Sequence, residues 1–519
     1  MCRGRWVLVV AAVLAALVGV PGTAPPAQAQ EGARPVRPVP VGTVVGTDGR
    51  VYLADAEGRA LQHRGFNTGK EMTADTAEIT EPLMATAAAS GLDLMRLSWQ
   101  WHKLEPTDDG WDEAYLDQIV AALDLADAHG VSVVLDNHQD VFGPRFGGNG
   151  VPEWATRDDG EPFVVEPGAP WFVANLQPAV QAAWEHLYED ADLRAEQVES
   201  VLRVVERVAG HPALLGYDLL NEPFGKIRPG EDLLSAAARV EATQLTEMYQ
   251  RLTDAIRTVD TESWIFVHPP NVASLGVPTH LGRIDDPKVV YYPHFYDTGL
   301  ESGTGFDPAS TFHQTWAAAA TPYAATHDVP MMVGEWGLPD PAAPGVGTFV
   351  DRSLAVLEGA TSGWTVFTWC AGGGYCVLDD AGALDPTWQR LVQAWPRAIA
   401  GAPTASAWDG AARRLRVIFR QGSDDTAPTE IVVPAALYPQ GIDVTTSEDA
   451  TGGVTHAWDE VRGLLTVSLP AGTGDRAVCV APAGAGTACP AVAPADPPEE
   501  PPARTPAATP VAAPARFTG

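Results

Sequence analysis

Residues 214–223 read Leu-Leu-Gly-Tyr-Asp-Leu-Leu-Asn-Glu-Pro, an apolar run of strand type that ends in Asn221 and Glu222 and is stopped by Pro223. A proline fixes its own φ and steers the residue before it toward extended backbone. Glu222 is therefore expected to be extended, at the mouth of a strand and directed out of the core. Residues 330–337, Pro-Met-Met-Val-Gly-Glu-Trp-Gly, have the same shape, with Glu335 at the exit of a second apolar run. Two carboxylates at two strand ends are the minimum equipment for breaking a glycosidic bond with retention, one as acid/base and one as nucleophile. A lone Asn-Glu-Pro is more often a turn than a site. The pair, in this order, carries the reading.

Outward from these two stretches, apolar runs alternate with longer amphipathic ones. Strands are predicted at 61–67, 92–100, 132–138, 214–221, 264–268, 289–296, 330–335 and 363–370. Helices are predicted at 76–90, 112–129, 193–209, 232–258, 308–326, 346–359 and 385–395. Within 112–129, Tyr115, Ile119, Ala122, Leu123 and Ala126 share one face at helical spacing. Eight strands alternating with helices predict an α/β fold whose parallel sheet closes into a (β/α)8 TIM barrel. An open doubly wound sheet is the competing arrangement, but it does not naturally place functional residues at so many strand ends. The stretch 141–175 is long for a connection and rich in Gly, Pro and aromatics (Phe142, Phe146, Trp154, Phe163, Trp171, Phe172), which argues for a functional loop.

Before the barrel, two short strand-like runs flank Asp48-Gly49, a hairpin signal. After Trp395-Pro396 the period changes to two: Leu415, Val417 and Phe419 alternate with Arg414, Arg416 and Ile418. An antiparallel β-sandwich is predicted there. The domain reading is a signal peptide at 1–29, a Pro-rich linker at 30–42, the catalytic barrel at 43–400, the sandwich at 401–483 and a Pro/Ala-rich disordered tail at 484–519.

Arg3 and Arg5, an apolar run from Trp6 to Val20, and Ala27-Gln28-Ala29 predict export, with cleavage after Ala29. The formal charge of −33 argues against nucleic acid or an anionic bilayer as partner, and removing the leader's two arginines makes the chain more acidic still. Cleavage leaves Cys370, Cys376, Cys479 and Cys489. Four cysteines allow three connectivities, and proximity favours Cys370–Cys376 and Cys479–Cys489. Neither pair has zinc-type spacing; no metal or cofactor is expected. A monomer is expected.

A barrel of this kind works where the C-terminal ends of its strands meet. Those ends carry Arg96 and Trp99 (strand two), Asp136-Asn137-His138-Gln139-Asp140 (three), Asn221 and Glu222 (four), His294-Phe295-Tyr296 (six), Glu335 (seven) and Trp369 (eight). One polar strand end is ordinary loop solvation; six complementary ones are not. The Asn-Glu-Pro, the second Glu, the Arg and the His-x-Tyr together resemble glycoside hydrolase family 5. The His-Gln-Asp run, with the added β-module, resembles the family's endoglycoceramidases over roughly residues 43–483.

The resemblance implies Glu222 as acid/base, Glu335 as nucleophile held ionised by Arg96 and Tyr296, and a carboxyl separation of about 5–5.5 Å. It further implies that Asn221 meets the sugar 2-OH, that His138 and His294 line the subsite of the cleaved sugar, that Trp369 offers a stacking face, and that Lys70 and Asp140 bind glucose hydroxyls. Gln139 and Asp136 are expected to support these from behind. The implied substrate is a glycosphingolipid, in micelles or at a membrane surface, cut between glucose and ceramide. An endo-β-glucanase or glucosylceramidase on the same scaffold is the alternative, and a glycolipid- or carbohydrate-binding protein without turnover is the non-enzymatic one.

Overall fold

The computed structural model describes residues 37–69, 79–165, 171–449 and 452–485. The expected leader, Lys70, Cys489 and the tail after 485 lie outside the described residues, as does the Trp171 side chain. Three short strands come first: β1 (Gly42–Val45), β2 (Val51–Ala54) and β3 (Ala60–Leu61). The barrel follows as β4 (His63–Asn67), β5 (Leu94–Trp99), β6 (Ser132–Asn137), β7 (Leu214–Asp218), β8 (Trp264–Val267), β9 (Val289–Tyr291), β10 (His294–Phe295), β11 (Val333–Trp336) and β12 (Gly363–Val366).

β4 to β9 pair in sequence, β10 pairs with β11, β11 with β12, and β12 returns to β4, every pairing parallel. β9 and β10 are two halves of one strand, interrupted at Tyr292-Pro293. Pro293 has no N–H to give the ladder, while its carbonyl still accepts from Gly334 N at 3.0 Å. A parallel bridge between Tyr291 and Met331 closes the ring. This is the eight-stranded barrel. Its strands read as unbroken apolar runs because both of their faces are buried.

The helices at 81–89, 113–128, 191–208, 312–327 and 346–360 match the predicted stretches to within a few residues at each end, and 233–257 is one continuous helical stretch with a π-helical turn at 241–245. Asp112 caps the helix at 113–128, accepting from Tyr115 N at 3.0 Å. Two predictions are corrected. A helix at Pro178–Glu189 stands where none was expected, and the predicted helix at 385–395 is a single turn at Trp388–Leu391 that runs into a strand. The far end of that segment is taken by the strand instead, where Trp395 pairs with Val432.

That strand, β13 (Trp395–Ile399), opens the second layer, which continues as β14 (Ala402–Asp409), β15 (Arg414–Gln421), β16 (Thr429–Val432), β17 (Ile442–Thr446), β18 (Thr455–Asp459), β19 (Leu464–Ser468) and β20 (Gly474–Pro482). One antiparallel sheet has the order β14-β15-β20-β17; the other runs β1-β2-β3-β13-β16-β19-β18. The hairpin expected at the start of the barrel is thus built into the sandwich. Tyr52 points inward with Leu415, Val417, Phe419, Leu465 and Val478. Leu53, Leu61 and Ala398 point the other way and pack with Leu94, Val134, Trp264, Phe266 and Met332 at the barrel's N-terminal mouth. The second layer is the floor of the barrel, opposite the site.

Candidate active site

Arg96, fully buried on β5, sits at the base of the site. Its Nη1 donates to Glu335 Oε1 at 2.6 Å and to Asn67 Oδ1 at 3.0 Å. Its Nη2 donates to Asp136 Oδ1 at 2.8 Å, Asp218 Oδ2 at 2.7 Å and Asn221 Oδ1 at 2.9 Å, and Nε donates to Asp218 Oδ2 at 3.0 Å. Burial alone would weaken the charged guanidinium, but Asp136, Asp218 and Glu335 outweigh it and hold the arginine well above its ordinary pKa.

Glu335 accepts from Tyr296 OH at 2.9 Å on its other oxygen. Glu222 has a neutral neighbour instead: its Oε1 lies 2.9 Å from His294 Nδ1. Oxygens of the two glutamates lie within 4.8 Å of each other and of His294 Nδ1. Burial, then Glu335, then Asp140 push the Glu222 carboxyl well above the usual carboxylate range. Burial also raises Glu335, but Arg96 and His138 oppose it. The shared proton therefore belongs on Glu222, and Glu335 carries the charge. Burial holds His294 well below its ordinary value, aided by His268, Arg96 and His138, so its ring is neutral.

The His-Gln-Asp run after β6 builds the opposite wall. His138 is buried, with Nδ1 2.6 Å from Asp136 Oδ2 and Nε2 3.5 Å from Asp140 Oδ2. Burial works against its charge, yet the two aspartates overcome that and hold the imidazolium pKa up to about 10. Gln139 is a clamp: its Nε2 donates to the carbonyls of Asn221 and Glu222, each at 2.8 Å, and its Oε1 accepts from Phe142 N at 2.8 Å. Asn221 Nδ2 donates to the Gln139 carbonyl at 3.1 Å. Asp140 is half-buried and accepts from Asn149 Nδ2 at 2.8 Å.

Arg96, His138, Asp140, Asn221, Glu222, His294, Tyr296 and Glu335 are thus brought to one end of the barrel. Two expectations are corrected. Glu222 is not extended: its φ is +38°, in the left-handed region, despite Pro223. The clamp on its carbonyl and a hydrogen bond to its N–H override the local preference. Trp369 is 1 % exposed, packs on Phe66 at 5.2 Å between ring centres, and donates its indole N–H to the Leu83 carbonyl at 3.1 Å. Its flat face, expected to receive a sugar, is covered.

Other residues belong to the site without having been singled out in the sequence. Asn67 and His268 end strands one and five, where the same strand-exit reasoning reaches them. Asp218 lies inside the Tyr-Asp-Leu-Leu-Asn-Glu-Pro stretch; burial pushes it up to about 7 against the pull of Arg96. Tyr375, on the loop closed by the Cys370–Cys376 disulfide, packs edge-on against Tyr296 and donates to Glu301 at 2.6 Å. Cys479 is disulfide-bonded. Among the described residues one other group brings three ligating oxygens within 4.8 Å, Glu105, Asp108 and Glu196, and Glu105 there accepts from the Trp101 indole at 2.8 Å.

A closed barrel with paired glutamates at the exits of strands four and seven, one protonated and one held ionised by an arginine, defines a retaining glycoside hydrolase. The sequence matches the cellulase family, glycosyl hydrolase family 5, over residues 54–373, and the glycoside hydrolase family 5 C-terminal domain over 394–480. The chain belongs to glycoside hydrolase family 5. Endoglycoceramidase I of Rhodococcus hoagii (strain 103S) is 29 % identical over 437 residues, 77 % of this chain and 81 % of that one. The structure of endo-glycoceramidase II from Rhodococcus sp. in complex with ganglioside GM3 superposes with a TM-score of 0.73 at 31 % identity, covering 83 % of this chain and 99 % of the other. The lactosyl-enzyme intermediate of that same protein matches with a TM-score of 0.72 at 31 % identity over the same shares.

Proposed function

We propose that this chain hydrolyses the β-bond between the glucose end of an oligosaccharide and the ceramide of a glycosphingolipid, releasing the sugar chain intact. The observation that carries the proposal is the likeness, along nearly the whole of its partner, to a protein solved with ganglioside GM3. The surface chemistry supports it. Phe163, Val164 and Phe172 are 37 %, 64 % and 48 % exposed in the long connection after strand three, and Leu234 and Leu275, also exposed, follow strands four and five. All five lie in segments leaving the end of the barrel that carries the glutamates. A small apolar cleft lined by Phe224, Ile227, Leu233, Val240, Pro270 and Val272 starts two residues after Glu222. Each methylene kept out of water on such a surface contributes about 0.8 kcal/mol, which offsets the cost of lifting that part of the chain from a micelle.

In this reading Glu222 protonates the departing ceramide oxygen as Glu335 attacks the anomeric carbon. Water then hydrolyses the glycosyl-enzyme with Glu222 as base. Asn221, held through its Oδ1 by Arg96 and through one amide hydrogen by the Gln139 carbonyl, offers its remaining amide hydrogen to the sugar 2-OH, and Asp140, with Lys70, meets glucose hydroxyls. Export, with cleavage after Ala29, and a monomeric state complete the proposal; Arg3, Arg5 and the apolar run to Val20 support the former. The test is incubation with lactosylceramide or GM3 in detergent, followed by chromatography of the products. Free oligosaccharide and intact ceramide are expected. Cleavage of cellulose chains with no ceramide released would overturn the proposal in favour of an endoglucanase.

A further inference from the structure

β8 leads directly into Val267-His268-Pro269-Pro270. The His268 side chain is buried, and its Nδ1 accepts the backbone N–H of Glu222 at 3.1 Å. Tyr249 OH holds the His268 carbonyl at 2.7 Å. The His268 ring lies 3.9 Å, centre to centre, from the ring of His294, tilted by 56°, and His294 in turn touches the Glu222 carboxyl. Among the described residues neither ring's Nε2 has a hydrogen-bond partner.

An imidazole nitrogen that accepts from an amide cannot itself carry a proton, so His268 is the neutral tautomer with its proton on Nε2. Protonating it would set N–H against N–H at the Glu222 peptide. Burial, Arg96 and His138 all favour that neutral state. The peptide it holds is a costly one, because a non-glycine residue in the left-handed region carries strain of roughly 1–3 kcal/mol. Two contacts impose it: His268 takes the Glu222 N–H, and Gln139 takes the Glu222 carbonyl.

We propose that His268 is a positioning residue for the acid/base: it fixes the Glu222 backbone from one side and backs the His294 ring that meets the Glu222 carboxyl. Because it is neutral, it takes no proton from Glu222, which remains available to the departing oxygen. The inference rests on Glu222 being the acid/base of the proposed reaction.

The experiment compares two β-lactosides in His268→Phe, which keeps a ring against His294 but removes the acceptor, and His268→Asn, whose side-chain carbonyl can still accept the Glu222 N–H. A 2,4-dinitrophenyl aglycone leaves without a proton; the ceramide of lactosylceramide does not. General acid help is worth about 10²–10⁴-fold. For His268→Phe, kcat/KM on lactosylceramide is therefore expected to fall at least about tenfold, against less than about threefold on the dinitrophenyl lactoside. His268→Asn should recover most of the loss, and the alkaline limb of the Phe variant's pH profile should shift. His268→Ala is measured in parallel and gives the same readout if the Phe variant does not fold. Equal losses on both substrates, or no loss on either, overturn the proposal. Glu222→Ala, run as a control, separates the two levels. If it shows no selectivity for the dinitrophenyl substrate, the acid/base assignment itself fails; if it does and the His268 variants do not, only the positioning role fails.

Discussion

Arg96 Nη1 and Glu335 Oε1 are 2.6 Å apart, and the same guanidinium also binds Asp136 and Asp218. One cation thus touches three buried carboxyl groups, and His138 supports it at Asp136. Removing one partner from such a cluster leaves charge buried without compensation, a loss of about 3–5 kcal/mol. Arg96→Met should lower the melting temperature by roughly 3–5 °C, the shift such a loss gives a chain of this size, and abolish turnover. Arg96→Lys keeps the charge but cannot span the donor set of the planar fork, so it should fold yet lose at least about 100-fold in kcat. Thermal melts beside steady-state rates check both; a Lys variant of native activity would mean that charge alone suffices.

The two glutamates should separate by chemical rescue. Glu335→Gly is expected to be inactive, and azide should restore turnover of an activated substrate through an α-configured glycosyl azide. Glu222→Ala with azide should yield the β-configured product, because a covalent intermediate has already inverted the centre once. NMR of the products reads the outcome directly. An α-anomer as the first-formed sugar of the wild-type enzyme would contradict retention.

The pH dependence has a definite sign. Asp218 rises in the folded state to about 7, so the stability it contributes is complete below its unfolded value and is lost as pH climbs through 7. His138 rises to about 10, so its contribution is complete below about 6.5 and is lost through 10. Asp218→Asn should flatten the melting temperature between pH 4 and 7 relative to wild type, and His138→Gln should do so between about pH 6.5 and 10. Activity should fall on the alkaline side as Glu222 gives up the proton it must donate, and on the acid side as Glu335 gains one.

The barrel was legible in the sequence because strands buried on both faces read as apolar runs, and most of those runs ended in a polar residue at the site. What was not legible depended on partners far away in the chain. The helix at Pro178–Glu189 buries Ala179, Ala182 and Ala183 beside Trp184, and so many alanines leave only a faint apolar stripe. The hairpin announced itself locally, but β3 pairs with β13, more than 330 residues on, for which no local signal exists. The proline rule for Glu222 failed because Gln139 and His268 act on its peptide from two other strands. Trp369 follows strand eight in the chain, while the packing of Phe66 on its ring and the Leu83 carbonyl that takes its indole N–H are tertiary facts.

The shared floor predicts that barrel and sandwich do not come apart. Deleting residues from 402 onward would strip β16 from β13 and expose Tyr52 and Ile399. The truncated protein should not fold cooperatively. Leu61→Ala tests the same contact more gently, since a leucine buried at the barrel mouth should cost about 2–5 kcal/mol. Denaturant melts measure it. A truncated barrel of native stability and activity would show that the two layers are independent.

The exposed aromatics after strand three bear on how a lipid is recognised. Phe163 rests on Phe146 at 5.1 Å between ring centres yet remains 37 % exposed, and Phe172 is 48 % exposed. Burying a phenylalanine contributes about 1.5–3 kcal/mol; only part of each ring is free to be covered, so about 1.4 kcal/mol, a tenfold effect, is the scale for one residue. Phe163→Ser and Phe172→Ser should each cut kcat/KM on a long-chain glycolipid by about that factor through KM, and the double variant by more. Turnover of a short aryl lactoside, which has no chain to place there, should stay within about twofold of wild type. Rates on the two substrates, taken with melting temperatures, decide the matter. A matching loss on both, with a lowered melting temperature, would assign these rings to holding the loop in place rather than to holding the lipid.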